Sequence, residues 1–254
     1  MKILLIGDSW GIGVFSEIDG TYGPTGQGIQ SILQDHGHQI VNISKAGGSN
    51  WLMLDRLEGQ WNNSTKCTFG VGTDKPIKID LQEFDSIIFL QTDIFRERYY
   101  YGKQYEHSND TQFKILNNDF VESLLTHKSI EDFVDQYFQK LYEKLNTFNK
   151  KILCIGGWSK LHPSIANYSN LIPVCTSASK LLIPSLKEDT YISDPEWFLQ
   201  LDANQRIMDK FGTELKELAI INADKLNLII DKWGDVHPTF SGYTTIADTI
   251  LPYL

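Results

Sequence analysis

The sequence predicts an α/β protein built on a parallel sheet with helices on both faces, and three observations carry that expectation. Short apolar runs recur at Lys2–Ile6, Asp85–Gln91 and Lys151–Gly156, as strands buried on both faces do. Longer segments with helical apolar spacing separate them, for example Phe133, Tyr137, Leu141 and Leu145. Such alternation calls for right-handed crossovers between parallel strands. Each run also ends on glycine or small polar residues, where open α/β sheets hold their chemistry.

Taken in order, Lys2–Ile6 is the first strand, broken at Gly7-Asp8-Ser9, with Gly11 and Gly13 before the next periodic segment. Thr21–Gly28 is Gly-rich and turn-like, and Ile29–Gln34, stopped at Gly37, is a short helix. Gln39–Ile43 is a second strand and Ser44–Asn50 the loop at its carboxyl end. Trp51–Trp61 follows as a helix, and Asn62–Asp80, without period, as a long surface connection. Asp85–Gln91 is the third strand, ending at Thr92-Asp93.

From there to residue 128 the composition is polar and the period poor, apart from Tyr99, Tyr100, Tyr101 and Tyr105. This is expected to be an insertion overhanging the strand ends, its tyrosines packing it to the body or lining a groove. Ser129-Ile-Glu-Asp132 opens a helix with a capping pattern, and Lys151–Gly156 is the fourth strand. A second irregular insertion is expected over 162–196. Trp197–Leu218 has a helical pattern, 219–231 is ambiguous between helix and strand, Trp233–Tyr243 is a loop and Thr244–Leu254 a terminal helix. No internal repeat or linker divides the chain, so one domain spanning 1–254 is expected.

Charge narrows the function. The formal net charge of −9 and scattered lysines argue against nucleic acid or an anionic membrane as the main partner, because phosphate binding needs clustered Lys and Arg. Three cysteines, Cys67, Cys154 and Cys175, lack metal-like spacing, and Cys154 lies within a strand-like run as a buried thiol. His36 and His38 flank a helix stop without a nearby ligand partner, so solvated histidines are preferred over a metal pair. No apolar span near twenty residues and no secretory leader pattern is visible. A cytoplasmic location is the expectation, and a virus-encoded chain would look the same.

The chemistry-bearing residues gather at the strand ends. Ser9 comes from the first, Gly47-Gly48 from the second, Gln91-Thr92-Asp93 from the third, and Asp235 and His237 from the last loop. A serine hydroxyl is a poor nucleophile until a base within hydrogen-bond reach takes its proton. A histidine oriented by a carboxylate is such a base, and backbone N–H groups beside glycine receive the developing oxyanion. The bland alternatives are a turn closed by Asp8 and Ser9 and a capping role for His237. Trp10, Trp51 and Trp158 sit beside strand ends as pocket walls or core.

On these residues the chain resembles the SGNH (GDSL-type) hydrolases. Gly7-Asp8-Ser9 is similar to that family's first block, Val41-Asn42-Ile-Ser-Lys-Ala-Gly47 to its second, and His237-Pro-Thr-Phe-Ser-Gly242-Tyr to its last. The resemblance implies a three-layer α/β/α flavodoxin-like fold carrying two insertions, and ester hydrolysis with Ser9 as nucleophile and His237 as base. It requires no metal or organic cofactor. It also implies oxyanion donors at Ser9, Gly47 and the third block. That block departs from the pattern: Leu90-Gln-Thr-Asp93 stands where the family has Gly-x-Asn-Asp, so Gln91, Thr92 or a protonated Asp93 has to donate. The acid departs too, for Gly234 holds the family's position three before the histidine and Asp235 lies two before it.

The expected function is cleavage of a short acyl or acetyl ester, on a small molecule or carbohydrate. The alternative is an SGNH-like module, weak or inactive in catalysis, that binds a glycan or protein. Nucleotide binding ranks last: Gly11-Ile-Gly13 is followed by Ser16 rather than glycine, and no Walker lysine is present.

Overall fold

The computed structural model describes residues 1–18, 21–45, 48, 50–59, 79–92, 127–157, 160–182, 228–230 and 236–254. Five parallel strands form its main sheet: β1 (Lys2–Ile6), β4 (Gln39–Asn42), β5 (Ser86–Gln91), β6 (Ile152–Gly156) and β7 (Leu171–Cys175). Their spatial order is β4-β1-β5-β6-β7. Counted along the chain this is the doubly wound order 2-1-3-4-5, in which the winding reverses between the first and third strands. The β1, β5 and β6 runs are buried on both faces, as their unbroken apolar sequences require.

Helices cover both faces. On one, α2 (Ile29–Asp35) packs with α6 (Phe240–Ile250); on the other, α3 (Asn50–Leu57) packs with α4 (His127–Thr147). Tyr137, Leu141 and Leu145 keep the apolar stripe of α4 in the core. A short α5 (Ala178–Leu182) joins the α6 side. The three-layer α/β/α fold expected from the sequence is the observed one. Among the described residues, no helix is long and apolar enough to cross a membrane.

Three segments differ from expectation. Thr21–Gly28 is not all turn: β2 (Phe15–Ile18) and β3 (Thr21–Pro24) form an antiparallel hairpin. Val14 and Thr25 close its base, through Val14 N–H to Gln27 O at 2.6 Å and Thr25 N–H to Val14 O at 2.8 Å. Gly13 permits that base, for its φ is +121° and a Cβ there would stand 2.3 Å from Gln27 O.

The expected insertion at 162–196 is corrected over 162–182. This stretch holds a 3-10 turn at Pro163–Asn167, then β7 and α5. β7 escaped notice because Pro173 sits in its middle and its burial is interrupted, the pattern of a strand paired on one side only. Residues 183–196 and 94–126 lie outside the described residues, as do Trp197–Leu218, Trp158, Cys67 and the Tyr99–Tyr105 cluster.

The carboxy-terminal loop is also more ordered than expected. β8 (Leu228–Ile230) and β9 (Val236–Pro238) pair antiparallel, with His237 opposite Ile229. Thr239 then caps α6, its Oγ1 accepting from Gly242 N–H at 3.1 Å. The helix therefore begins at Phe240 rather than Thr244.

Candidate functional site

The carboxyl ends of β1 and β5 flank the point where the winding reverses, and open α/β sheets leave their crevice there. Ser9 follows β1 and Thr92 follows β5. Around them cluster Asp8, Ser44, Lys45, Asn50, Arg56, Gln91 and His237, all buried although all polar. Hydrogen bonds hold Asp8, Asn50, Arg56, Gln91 and Thr92 there, whereas Ser44 Oγ is buried without a partner.

Ser9 opens α1 (Ser9–Ile12), for which Asp8 is the N-cap: Asp8 Oδ1 accepts from Trp10 N–H at 2.9 Å. Asn42 steadies the same turn from β4, donating from Nδ2 to Gly11 O at 2.8 Å while its Oδ1 accepts from Ser44 N–H at 2.9 Å. The turn and the post-β4 loop touch so closely that a Cβ on Gly11 would lie 2.3 Å from Ser44 Oγ. Lys45 N–H donates to Gly7 O at 2.9 Å, carrying the second block alongside the first. Beneath that loop the buried guanidinium of Arg56 donates to Ile43 O at 2.7 Å.

β9, carrying His237, packs against α1, carrying Ser9, so residues more than two hundred positions apart occupy neighbouring elements. Ser9 and His237 are both buried at this contact. Tyr243, fully buried on α6, lies near Asp8 without a hydrogen-bond partner for its hydroxyl: burial first, and the Asp8 charge second, push its phenol well above the ordinary range. Gly47, Asp93 and Asp235 lie outside the described residues.

The third block is engaged differently from expectation. The Gln91 amide turns toward α4 and the post-β6 loop: Nε2 donates to Lys160 O at 3.2 Å and Oε1 accepts from Tyr142 Oη at 2.6 Å. Tyr142 Oη in turn accepts from His162 N–H at 3.0 Å. Gln91 thus braces a loop. Thr92 donates its hydroxyl to Asp8 Oδ2 at 2.8 Å. Thr92 thus spends its one hydroxyl hydrogen on Asp8 and Gln91 one amide hydrogen on Lys160 O, whereas the sequence offers both as oxyanion donors. The physical reason is burial: a polar side chain out of water is held by the partners within its reach.

Asn50, Arg56 and Tyr137 were not anticipated. Asn50 Oδ1 accepts from Thr92 N–H at 2.9 Å, and its Nδ2 donates to Thr92 O at 3.0 Å and to Tyr137 Oη at 3.1 Å. A weak signal existed for Arg56, which shares the helical spacing of the buried Leu52, Met53 and Leu57. Trp10 belongs to the core. His36 and His38 belong to no metal-sized cluster, for among the described residues no group of three His, Cys, Asp or Glu side chains could hold an ion.

Fold and site together define a doubly wound α/β protein with a polar, buried serine corner at its switch point. No family model and no curated protein matches the chain. Solved structures similar to it include the acetyl xylan esterase AlAXEase, at 12% identity and a TM-score of 0.39 with both chains covered in full. LAE5, an alpha/beta hydrolase enzyme from the metagenome of Lake Arreo in Spain, is 14% identical with a TM-score of 0.40, covering 99% of this chain and 93% of its own. TesA is 14% identical with a TM-score of 0.38, covering 99% of this chain and 97% of its own.

Proposed function

We propose that the chain is a serine hydrolase that cleaves a carboxylic ester, with a short acyl or acetyl ester, carried by a small molecule or carbohydrate, as the preferred substrate. The observation that carries this reading is the packing of the His237 strand, β9, against the Ser9 helix, α1, beside the switch point of the sheet. The resemblance of the first, second and last blocks to SGNH hydrolases supports it from the sequence.

In this reading Ser9 Oγ attacks the acyl carbonyl while His237 accepts its proton, and Asp235 orients the imidazole. The tetrahedral oxyanion is received by the backbone N–H groups of Ser9 and Gly47. His237 then returns the proton to the leaving alcohol, and water, deprotonated by the same imidazole, releases the acid from the acyl-enzyme. With Gln91 and Thr92 committed elsewhere, the oxyanion has fewer side-chain donors than the family pattern supplies. Loss of one such donor lowers turnover by roughly 10²–10³-fold, so slow hydrolysis is expected. The chain as a single domain, and a substrate partner rather than nucleic acid or membrane, belong to the same proposal.

The commitment of Gln91 and Thr92 also favours a second reading, a glycan- or protein-binding module with little turnover. Turnover of a chromogenic short-chain acetate separates the two. Hydrolysis by the wild type that Ser9→Ala abolishes supports the esterase, and equal rates for both proteins defeat it.

A further inference from the structure

Asn50, Thr92 and Asp8 form one buried row of hydrogen bonds that ends at the Trp10 N–H, one residue after the proposed nucleophile Ser9. The row starts at Tyr137 on α4, whose hydroxyl accepts from Asn50 Nδ2. Asn50, wholly buried at the first position of α3, holds both the N–H and the C=O of Thr92. Thr92 gives its one hydroxyl hydrogen to Asp8 Oδ2, and Asp8 Oδ1 caps Trp10 N–H in the turn that presents Ser9. Four separate stretches of chain are thereby joined through side chains, with every amide hydrogen of Asn50 used.

We infer that Asn50 and Thr92 are positioning residues for Ser9, acting through the Asp8 carboxylate rather than on substrate; this rests on the hydrolase reading above. The carboxylate is the only link between the post-β5 corner and the turn in this row. Held at both oxygens, it has one orientation, and that orientation fixes the cap and so the first turn of α1. With Thr92 Oγ1 removed, Oδ2 loses this hydrogen bond inside a buried site and the carboxylate shifts toward the partners that remain. Misplacing a reacting group by about 1 Å costs roughly 10²-fold in rate.

The test is the rate at which a fluorophosphonate probe labels Ser9 in the full chain, with folding of each variant checked by circular dichroism. Thr92→Val should slow labelling by roughly 10- to 100-fold, and Thr92→Ser, which keeps the hydroxyl, should stay near wild type. In an Asp8→Ala background Thr92→Val should change the rate by less than about 2-fold, since the link is already cut. An oxyanion donor would cost the same in both backgrounds, and that result overturns the inference.

Asn50→Asp supplies a second readout that does not depend on Asp8→Ala folding. The introduced carboxylate repels Thr92 O, whereas its protonated form donates to it, so labelling relative to wild type should recover as pH falls. A ratio flat with pH overturns the inference. Labelled wild type with an unaffected Thr92→Val defeats the positioning role alone, and an unlabelled wild type defeats the hydrolase reading with it.

Discussion

Asn50 pairs with Thr92 as a neighbouring strand would: its amide oxygen accepts from the Thr92 N–H at 2.9 Å and its amide nitrogen donates to the Thr92 carbonyl at 3.0 Å. β5 ends at Gln91, so this side chain continues the pairing one residue past the sheet. The backbone at the switch point is thereby satisfied without a sixth strand.

Removing that amide has a cost in stability. Asn50→Leu leaves the Thr92 N–H and C=O buried without partners, and each such group costs about 1–3 kcal/mol. Urea unfolding should show a loss of about 2–4 kcal/mol with an unchanged slope. A loss below about 0.5 kcal/mol would mean that water replaces the amide.

Gln91 gives the opposite signature. Because its amide braces Lys160 and Tyr142, Gln91→Met should lower stability by about 1–3 kcal/mol and leave the labelling rate of Ser9 within about 3-fold of wild type. Were Gln91 an oxyanion donor, turnover would fall by roughly 10²–10³-fold. Parallel melting curves and acetate turnover distinguish these.

Gly11 is held by space. Gly11→Ala brings a Cβ to 2.3 Å from Ser44 Oγ and 2.9 Å from Ser44 Cβ, so the turn and the post-β4 loop must separate. Overpacking of this kind costs about 1–3 kcal/mol. Adding Ser44→Gly, which removes both atoms, should restore most of the melting temperature, and an additive pair of losses would contradict the contact.

Asp55 on α3 predicts a pH dependence. Burial, then the charge of Glu58, raise its carboxyl from 3.8 to about 6, with Lys144 opposing. A carboxyl with a raised folded value binds its proton more tightly in the folded chain. Its stabilising contribution is therefore complete below about pH 4 and lost as pH rises through about 6. Because the group is only half-buried, water screens the effect to about 1 kcal/mol. Asp55→Asn should gain that much over wild type at pH 7.5 and nothing at pH 3. An equal difference at both pH values would assign the change to packing instead.

The elements legible in the sequence are those whose pattern is local. β1, β5 and β6 are uninterrupted apolar runs, and Gly7-Asp8-Ser9 marks the end of the first. The terminal His-Pro motif stands out because few residues other than histidine serve as a base near neutral pH. β7 was hidden because a strand paired on one side tolerates Pro173 and loses its continuous apolar signal. Asn50 was hidden for a different reason: its partner is the backbone of a residue 42 positions away. That meeting depends on β5 lying beside β1 and on α3 packing against α4, which no spacing in the chain announces. Gln91 and Thr92 were placed by their position in a block, and the direction of each side chain is decided by neighbours from α4, the post-β6 loop and α1.

Whether Ser9 is an activated nucleophile served by His237 is decided by peptide mapping after fluorophosphonate treatment. A single adduct is expected on the peptide carrying Ser9, abolished in Ser9→Ala and slowed at least about 10³-fold in His237→Ala. An unmodified Ser9 in folded wild-type protein, or labelling that His237→Ala leaves unchanged, would contradict it.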